Sequence, residues 1–321
     1  MNLPLQIQSA LERELETCDH SELLKAARDL SDSYRNSSPR SPQAFSGKTS
    51  RLAYLLTRAP ATFASVESTF SKIKSLNPKL EISSVLDIGA GAGTASWAAM
   101  EVFPEIARVT MIERDREMSA FAARLHTASA SKASIETVTG AVQTMRNFEP
   151  HDLVVFSYSL AELQEGVREA VIDSAWKAAR VLLVVVESGS PRGFSCILSA
   201  RTQLLSMGAH VVAPCPHGNA CPMAAPDWCH FAARVQRSRL HREAKGGALA
   251  YEDEKFSFVA VSREPLVASS ARILRRPLAR KGLIRFDLCT ETGLERITVS
   301  KKSRDEFRQA RHAEWGDSWK P

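Results

Sequence analysis

Four cysteines are placed where thiol chemistry could gather. Cys215, Cys221 and Cys229 fall within fifteen residues, with five between the first two and seven between the next, and Cys289 follows after fifty-nine more. Structural zinc usually uses paired knuckles with about two to four residues between cysteines, and no such pair exists here. The irregular spacing, with proline directly after two of them (Cys215-Pro216, Cys221-Pro222), suits a cubane iron–sulfur cluster, a larger object that loops can wrap. His217, His230 and His241 keep a mixed zinc site open as the alternative. Cys18 and Cys196 stand alone and read as small buried hydrophobes.

A second constellation is Val85-Leu86-Asp87-Ile88-Gly89-Ala90-Gly91-Ala92-Gly93-Thr94, an apolar run that ends in an acid, turns through three glycines and opens a helix. Glycine lets the backbone turn tightly and lets a ligand approach with no Cβ in the way. The dinucleotide fingerprint G-x-G-x-x-G sets its last glycine further on, and Asp87 at the strand end would repel a pyrophosphate. The pattern instead resembles the first motif of class I S-adenosylmethionine-dependent methyltransferases, whose ligand carries an ammonium and a sulfonium. That resemblance implies cofactor contacts at Asp87, Gly89, Gly91 and Gly93. It also implies an acid for the ribose hydroxyls at the end of the next strand, and Glu113 stands there, twenty-six residues after Asp87. No catalytic residue can be named. The place after the fourth strand holds Phe156-Ser157-Tyr158-Ser159-Leu160, without the prolines of the Asn-Pro-Pro-Tyr motif of amino-methylating relatives. Pro214-Cys215 lies well outside the region where cytosine-C5 enzymes carry their nucleophile.

Charge adds a third signal. The net charge is +6, yet His230 to Arg311 alone holds 19 Lys and Arg against 10 Asp and Glu, leaving the rest of the chain mildly acidic. A basic half beside an acidic one points to a polyanion partner. Arg234, Arg237, Arg239 and Arg242 fall within nine residues and read as a helix that presents several arginines to RNA phosphates. The composition, 44% apolar and 24% charged, excludes a disordered, collagenous or coiled-coil chain. No run of apolar residues is long enough for a membrane helix, so no membrane association is expected. The first twenty residues show no signal-peptide pattern and carry several acids, which sets the expectation of a cytoplasmic protein.

These groups need a scaffold. Residues 1–80 read as helical, with a Ser/Pro-rich loop at Asn36–Ser46, a second helix from Arg51 broken at Arg58-Ala59-Pro60, and a third from Thr62. From Ser83 short apolar runs (SSVLDIG, VTMIE, DLVVFS, VLLVVVE) alternate with helical segments, the signature of a doubly wound α/β domain with a parallel sheet covered on both faces. A further helix runs to Met207; the Cys-rich segment, the arginine-rich helix and the strand KFSFVAVSR follow. LIRFDLC and ERITVS form a hairpin turned at Thr290-Glu291-Thr292-Gly293.

The run from Cys215 to Arg263 (CPHGNACPMAAPDWCHFAARVQ through FSFVAVSR) closely resembles the signature of a methyltransferase-like family of small-ribosomal-subunit proteins. RAPATFASV, VLDIGAGAGTASWAA, VVVESGSPRGF and ARHAEWGDSW agree, so the resemblance runs from about Arg51 to the end. It implies a Rossmann-like class I methyltransferase fold, S-adenosylmethionine as ligand, and a [4Fe–4S] cluster on Cys215, Cys221, Cys229 and Cys289. The implied partner is small-subunit rRNA, bound during assembly by a protein monomeric apart from the ribosome. Active rRNA methylation is the alternative, and a small-molecule methyltransferase with structural zinc a weaker one. The expected organisation is a helical region over 1–80, a methyltransferase-fold core over 81–208, and a Cys-rich, basic RNA-binding region over 209–321, with strand 255–263 able to rejoin the core sheet.

Overall fold

The computed structural model describes residues 3–35, 47–129, 131–145, 147–223 and 225–320; the loop expected over 36–46 lies outside them. Helices α1 (Leu5–Leu15), α2 (His20–Arg35) and α3 (Lys48–Leu76) come first. The break expected at Arg58-Ala59-Pro60 is absent, because α3 passes through Pro60 without interruption. A proline inside a helix costs about 3 kcal/mol. Burial outweighs it, since Leu52, Leu55, Leu56, Ala59, Phe63, Val66, Phe70 and Ile73 all lie in the core.

An eight-stranded sheet follows. Strands β1 (Ser84–Ile88), β2 (Arg108–Glu113), β3 (Ser134–Thr139), β4 (His151–Ser157) and β5 (Ala179–Ser188) pair in parallel, in the order β3-β2-β1-β4-β5. Helices α4 (Thr94–Val102), α5 (Arg116–Ala128) and α6 (Glu165–Ala178) make the crossovers. All five residues of β1 are buried, as apolar strands between two layers of helix must be. After α7 (Pro191–Ser206) and β6 (His210–Ala213) the chain forms β7 (Phe231–Gln236), α8 (Arg239–Lys245) and the long β8 (Tyr251–Ser262). β8 runs antiparallel to β5 on one side; on the other it pairs with β6 near its end and with β7 near its start. An antiparallel strand seated between the fifth and sixth is the class I methyltransferase arrangement, here widened by β7. The sheet therefore takes in three strands beyond residue 208: β8, the strand expected over 255–263, rejoins it, and β6 and β7 extend it past the expected end of the core.

The arginine-rich helix is a correction. Phe231, Ala233 and Val235 point inward and Arg234 outward, a period of two that makes β7 a strand. The Ser238 hydroxyl then accepts from the His241 amide at 3.1 Å and starts α8 only at Arg239. The four arginines are thus split between a strand, a connection and a short helix.

A second, four-stranded antiparallel sheet holds β9 (Ala271–Ile273), β10 (Leu278–Arg280), β11 (Leu283–Thr290) and β12 (Gly293–Ser300). The hairpin turns at Glu291-Thr292, with Thr290 paired to Gly293. One face, with Ile273, Ile284, Phe286, Leu288 and Val299, packs with Trp319 and with Ala310 of α9 (Arg304–Ala310).

Candidate functional sites

The glycine loop joins β1 to α4. Gly89, Gly91 and Gly93 all have positive φ. A Cβ on Gly89 would meet Ser159 Cβ at 2.4 Å, and one on Gly93 would meet Met111 Sδ at 2.6 Å and His126 Nε2 at 2.8 Å. Gly91 differs, because its Cβ would meet only Met118 Cε at 3.8 Å. The outer glycines are held by packing; the middle one faces open space, as a ligand-facing position should. Asp87 is fully buried, and its Oδ2 accepts from the Ser96 amide (3.1 Å) and hydroxyl (2.9 Å). Its Oδ1 has no partner among the described residues. Burial, only partly offset by Ser96, pushes the carboxyl up to about 7. Glu113 accepts from the Gly91 amide at 2.9 Å and the Asp115 amide at 2.8 Å, so it ties the loop to the end of β2. Nothing in the sequence marked Ser96 as the partner of Asp87.

After β4, Tyr158 takes φ +56, a conformation a non-glycine residue rarely adopts. Its hydroxyl donates to Ser65 Oγ (3.1 Å) and Glu254 Oε1 (3.2 Å), in a group that Arg58 completes by pairing with Glu254 at 3.0 Å. Burial and the neighbouring Glu254 charge hold the phenol well above its usual range.

The cysteine prediction meets a single cavity, which Cys215, Cys221, Cys229 and Cys289 all line. Cys215 follows β6, Cys221 and Cys229 belong to the segment that leads to β7, and Cys289 comes from β11 of the second sheet. The thiols therefore meet at the join between the two sheets. Burial and, next, the neighbouring thiols hold Cys229 well above the usual range and push Cys289 up to about 12. Among the described residues no three Cys, His, Asp or Glu close tightly enough around one point for a single metal ion. His217 Nε2 lies 3.7 Å from Cys289 Sγ. His230 instead stacks on Trp228, and His241 faces Glu252 at 3.4 Å.

Two cavity residues were invisible in the sequence. Arg201, from α7, is 4% exposed and donates to the carbonyls of His217 and Asn219, both at 2.8 Å. Arg272, from β9, is 2% exposed and donates to the carbonyls of Pro214 (2.9 Å) and Gly316 (2.7 Å). The arginines of the predicted RNA run are largely engaged already. Arg234 pairs with Asp253 at 2.9 Å, Arg237 with Glu252, and Arg239 with Glu243 at 3.0 Å, while Arg242 is half-buried in α8.

A family model described as mitochondrial small ribosomal subunit Rsm22 matches residues 48–320. The chain belongs to this family. Among its curated relatives, the human mitochondrial ribosome assembly protein METTL17 is 29% identical over 288 residues, which cover 83% of this chain and 61% of that one. The Rsm22-cox11 tandem protein 2, mitochondrial, of Schizosaccharomyces pombe is 26% identical over 325 residues, covering 83% and 42%. The chain thus spans less than two thirds of the length of either relative. The family description and both relatives are mitochondrial, which overturns the expectation of a cytoplasmic protein. Among solved structures, the chain is similar to magnesium protoporphyrin IX methyltransferase of Synechocystis with bound S-adenosylmethionine (14% identity, TM-score 0.42, covering 64% of this chain and 80% of that one). It is also similar to the N-methyltransferase NodS of Bradyrhizobium japonicum with S-adenosylhomocysteine (15%, TM-score 0.40, covering 62% and 86%).

Proposed function

We propose that this chain acts on the small ribosomal subunit as a methyltransferase-fold assembly protein that binds S-adenosylmethionine, carries a [4Fe–4S] cluster and holds rRNA. The observation that carries the reading is the convergence of four cysteines, distant in sequence, on one cavity inside an Rsm22-family chain. The donor set is four thiols with no carboxylate among the lining residues, which suits a cluster. Such a cluster supplies a compact anionic knot that cross-links loops. The cofactor reading is supported by the unpartnered Asp87 Oδ1, which offers a buried carboxylate oxygen to a cationic ligand, and by the open space beside Gly91.

For RNA the ion pairs favour a different surface from the arginine run. On the solvent face of the second sheet and its adjoining turns, Arg280, Lys281, Arg285, Lys301, Lys302 and Arg304 are exposed. None of these six has an ion pair among the described residues, and phosphates would be their natural counterions. Active methylation is the second reading; in the place after β4 the Tyr158 hydroxyl turns to Ser65 and Glu254. The test is iron and sulfide analysis of anaerobically purified protein, alongside Cys289→Ser. About four irons per wild-type chain, lost with the brown colour in the serine variant, is the expected result. Colourless wild-type protein loaded with zinc would refute the cluster.

A further inference from the structure

We infer that Arg201 and Arg272 are a built-in pair of countercharges for the metal–thiolate group, and that they set its reduction potential. This rests on the proposed cluster and adds a role for two residues outside its ligand set.

Both side chains are almost wholly buried and both line the cavity of the four cysteines. Their observed hydrogen bonds go to backbone carbonyls of Pro214, His217, Asn219 and Gly316. Among the described residues neither forms an ion pair with a carboxylate. Asp317 contributes a countercharge to Arg272 from a distance, but its carboxylate is paired with Lys72 at 3.2 Å and is shared between the two. A buried guanidinium with no anion is strongly unfavourable. Each also keeps one nitrogen without a partner, Nε in Arg201 and Nη2 in Arg272. What the two charges face is thiol sulfur. Arg272 stands directly opposite Cys289 in the β9–β11 register, so the two side chains leave the sheet on the same face. Both guanidiniums act on Cys215 and Cys289, and Arg272 on Cys229 as well.

The charges balance. A cubane core with two positive charges held by four thiolates is a dianion, and two guanidiniums neutralise it. In the titration below, one-electron reduction of such a cluster by dithionite, itself oxidised to sulfite, would add a further negative charge, breaking no bond in the cluster and moving no proton onto it. In a buried site nearby positive charge stabilises that reduced form, so the arginines hold the potential up.

The experiment is a redox titration, followed by electron paramagnetic resonance, of anaerobically purified full-length protein. It compares wild type with Arg272→Met, Arg272→Lys, Arg201→Met and Arg201→Lys. Each methionine variant is expected to disfavour reduction about tenfold or more, which is ~59 mV for a one-electron couple. Each lysine variant should recover most of that shift. Each arginine also braces two carbonyls, so if one methionine variant loses its cluster the other is read, and loss in both with retention at the parent potential in both lysine variants still assigns the requirement to charge. Intact clusters with unchanged potential in the methionine variants would overturn the inference. So would equal shifts in the methionine and lysine variants, since geometry and not charge would then be the cause. A colourless wild type would instead remove the cluster reading itself.

Discussion

Replacing Lys281, Lys301 and Lys302 together with alanine tests where rRNA sits. All three are exposed, and the Lys301 amide donates to the Gly282 carbonyl at 3.0 Å, which brings the two lysine-bearing turns to one end of the sheet. None contributes to the core of that sheet, so the fold should persist. Each phosphate neutralised on single-stranded RNA adds about −0.7 to the slope of log K against log salt. Losing three contacts should flatten the slope by about 2. Over a fourfold rise in salt, from about 50 to 200 mM, the parent would then lose roughly 16-fold more affinity than the variant. Fluorescence anisotropy with a small-subunit rRNA fragment at several salt concentrations reads this directly. Arg234→Ala with Arg239→Ala is the control, and its slope should hardly change because Asp253 and Glu243 already neutralise those side chains. An unchanged slope in the triple variant with a flattened slope in the control would refute the assignment and return the phosphates to the β7–α8 segment.

Three further outcomes are expected. Gly93→Ala should destabilise the protein by about 1–3 kcal/mol in a chemical melt, because its Cβ would press on Met111 and His126 at positive φ. Gly91→Val should cost stability, since a β-branched residue is strained at φ +57, and should also abolish S-adenosylmethionine binding by calorimetry, because its side chain would enter the open ligand side. Asp87, raised to about 7, gives a pH signature. The cationic ligand needs the carboxylate, so apparent affinity should fall about tenfold per unit below pH 7 and level off above it, and Asp87→Asn should remove that dependence. For stability the sign is opposite. The folded state holds a proton the unfolded chain has released, so this group's contribution is present below about pH 4 and is lost as pH rises through about 7.

The parallel half of the fold was legible because its strands are apolar throughout and its turn chemistry is local; Asp87 to Gly93 could be read from ten consecutive residues. Pro60 misled because propensity is local and the burial that overrides it is not. The run Arg234 to Arg242 misled because four basic residues drew attention from the inward alternation of Phe231, Ala233 and Val235. Gathering the cysteines needed no geometry, only an irregular spacing that a larger ligand could explain. Arg201 and Arg272 were beyond reach, since one lies on a helix and the other meets Cys289 only through strand register.

The span from Cys215 to Cys289 has a consequence for how the protein melts. A cluster bonded at both would close a covalent ring of about 75 residues, depriving the unfolded chain of roughly 4–5 kcal/mol of conformational freedom. That ring encloses β7, α8, β8, β9, β10 and most of β11, so it threads both sheets. With the ring closed, the second sheet cannot peel away while its neighbour stays folded, and the two should unfold in one cooperative transition. With the ring open, the small core around Phe286 and Trp319 stands on its own contacts, and a separate, earlier transition should emerge.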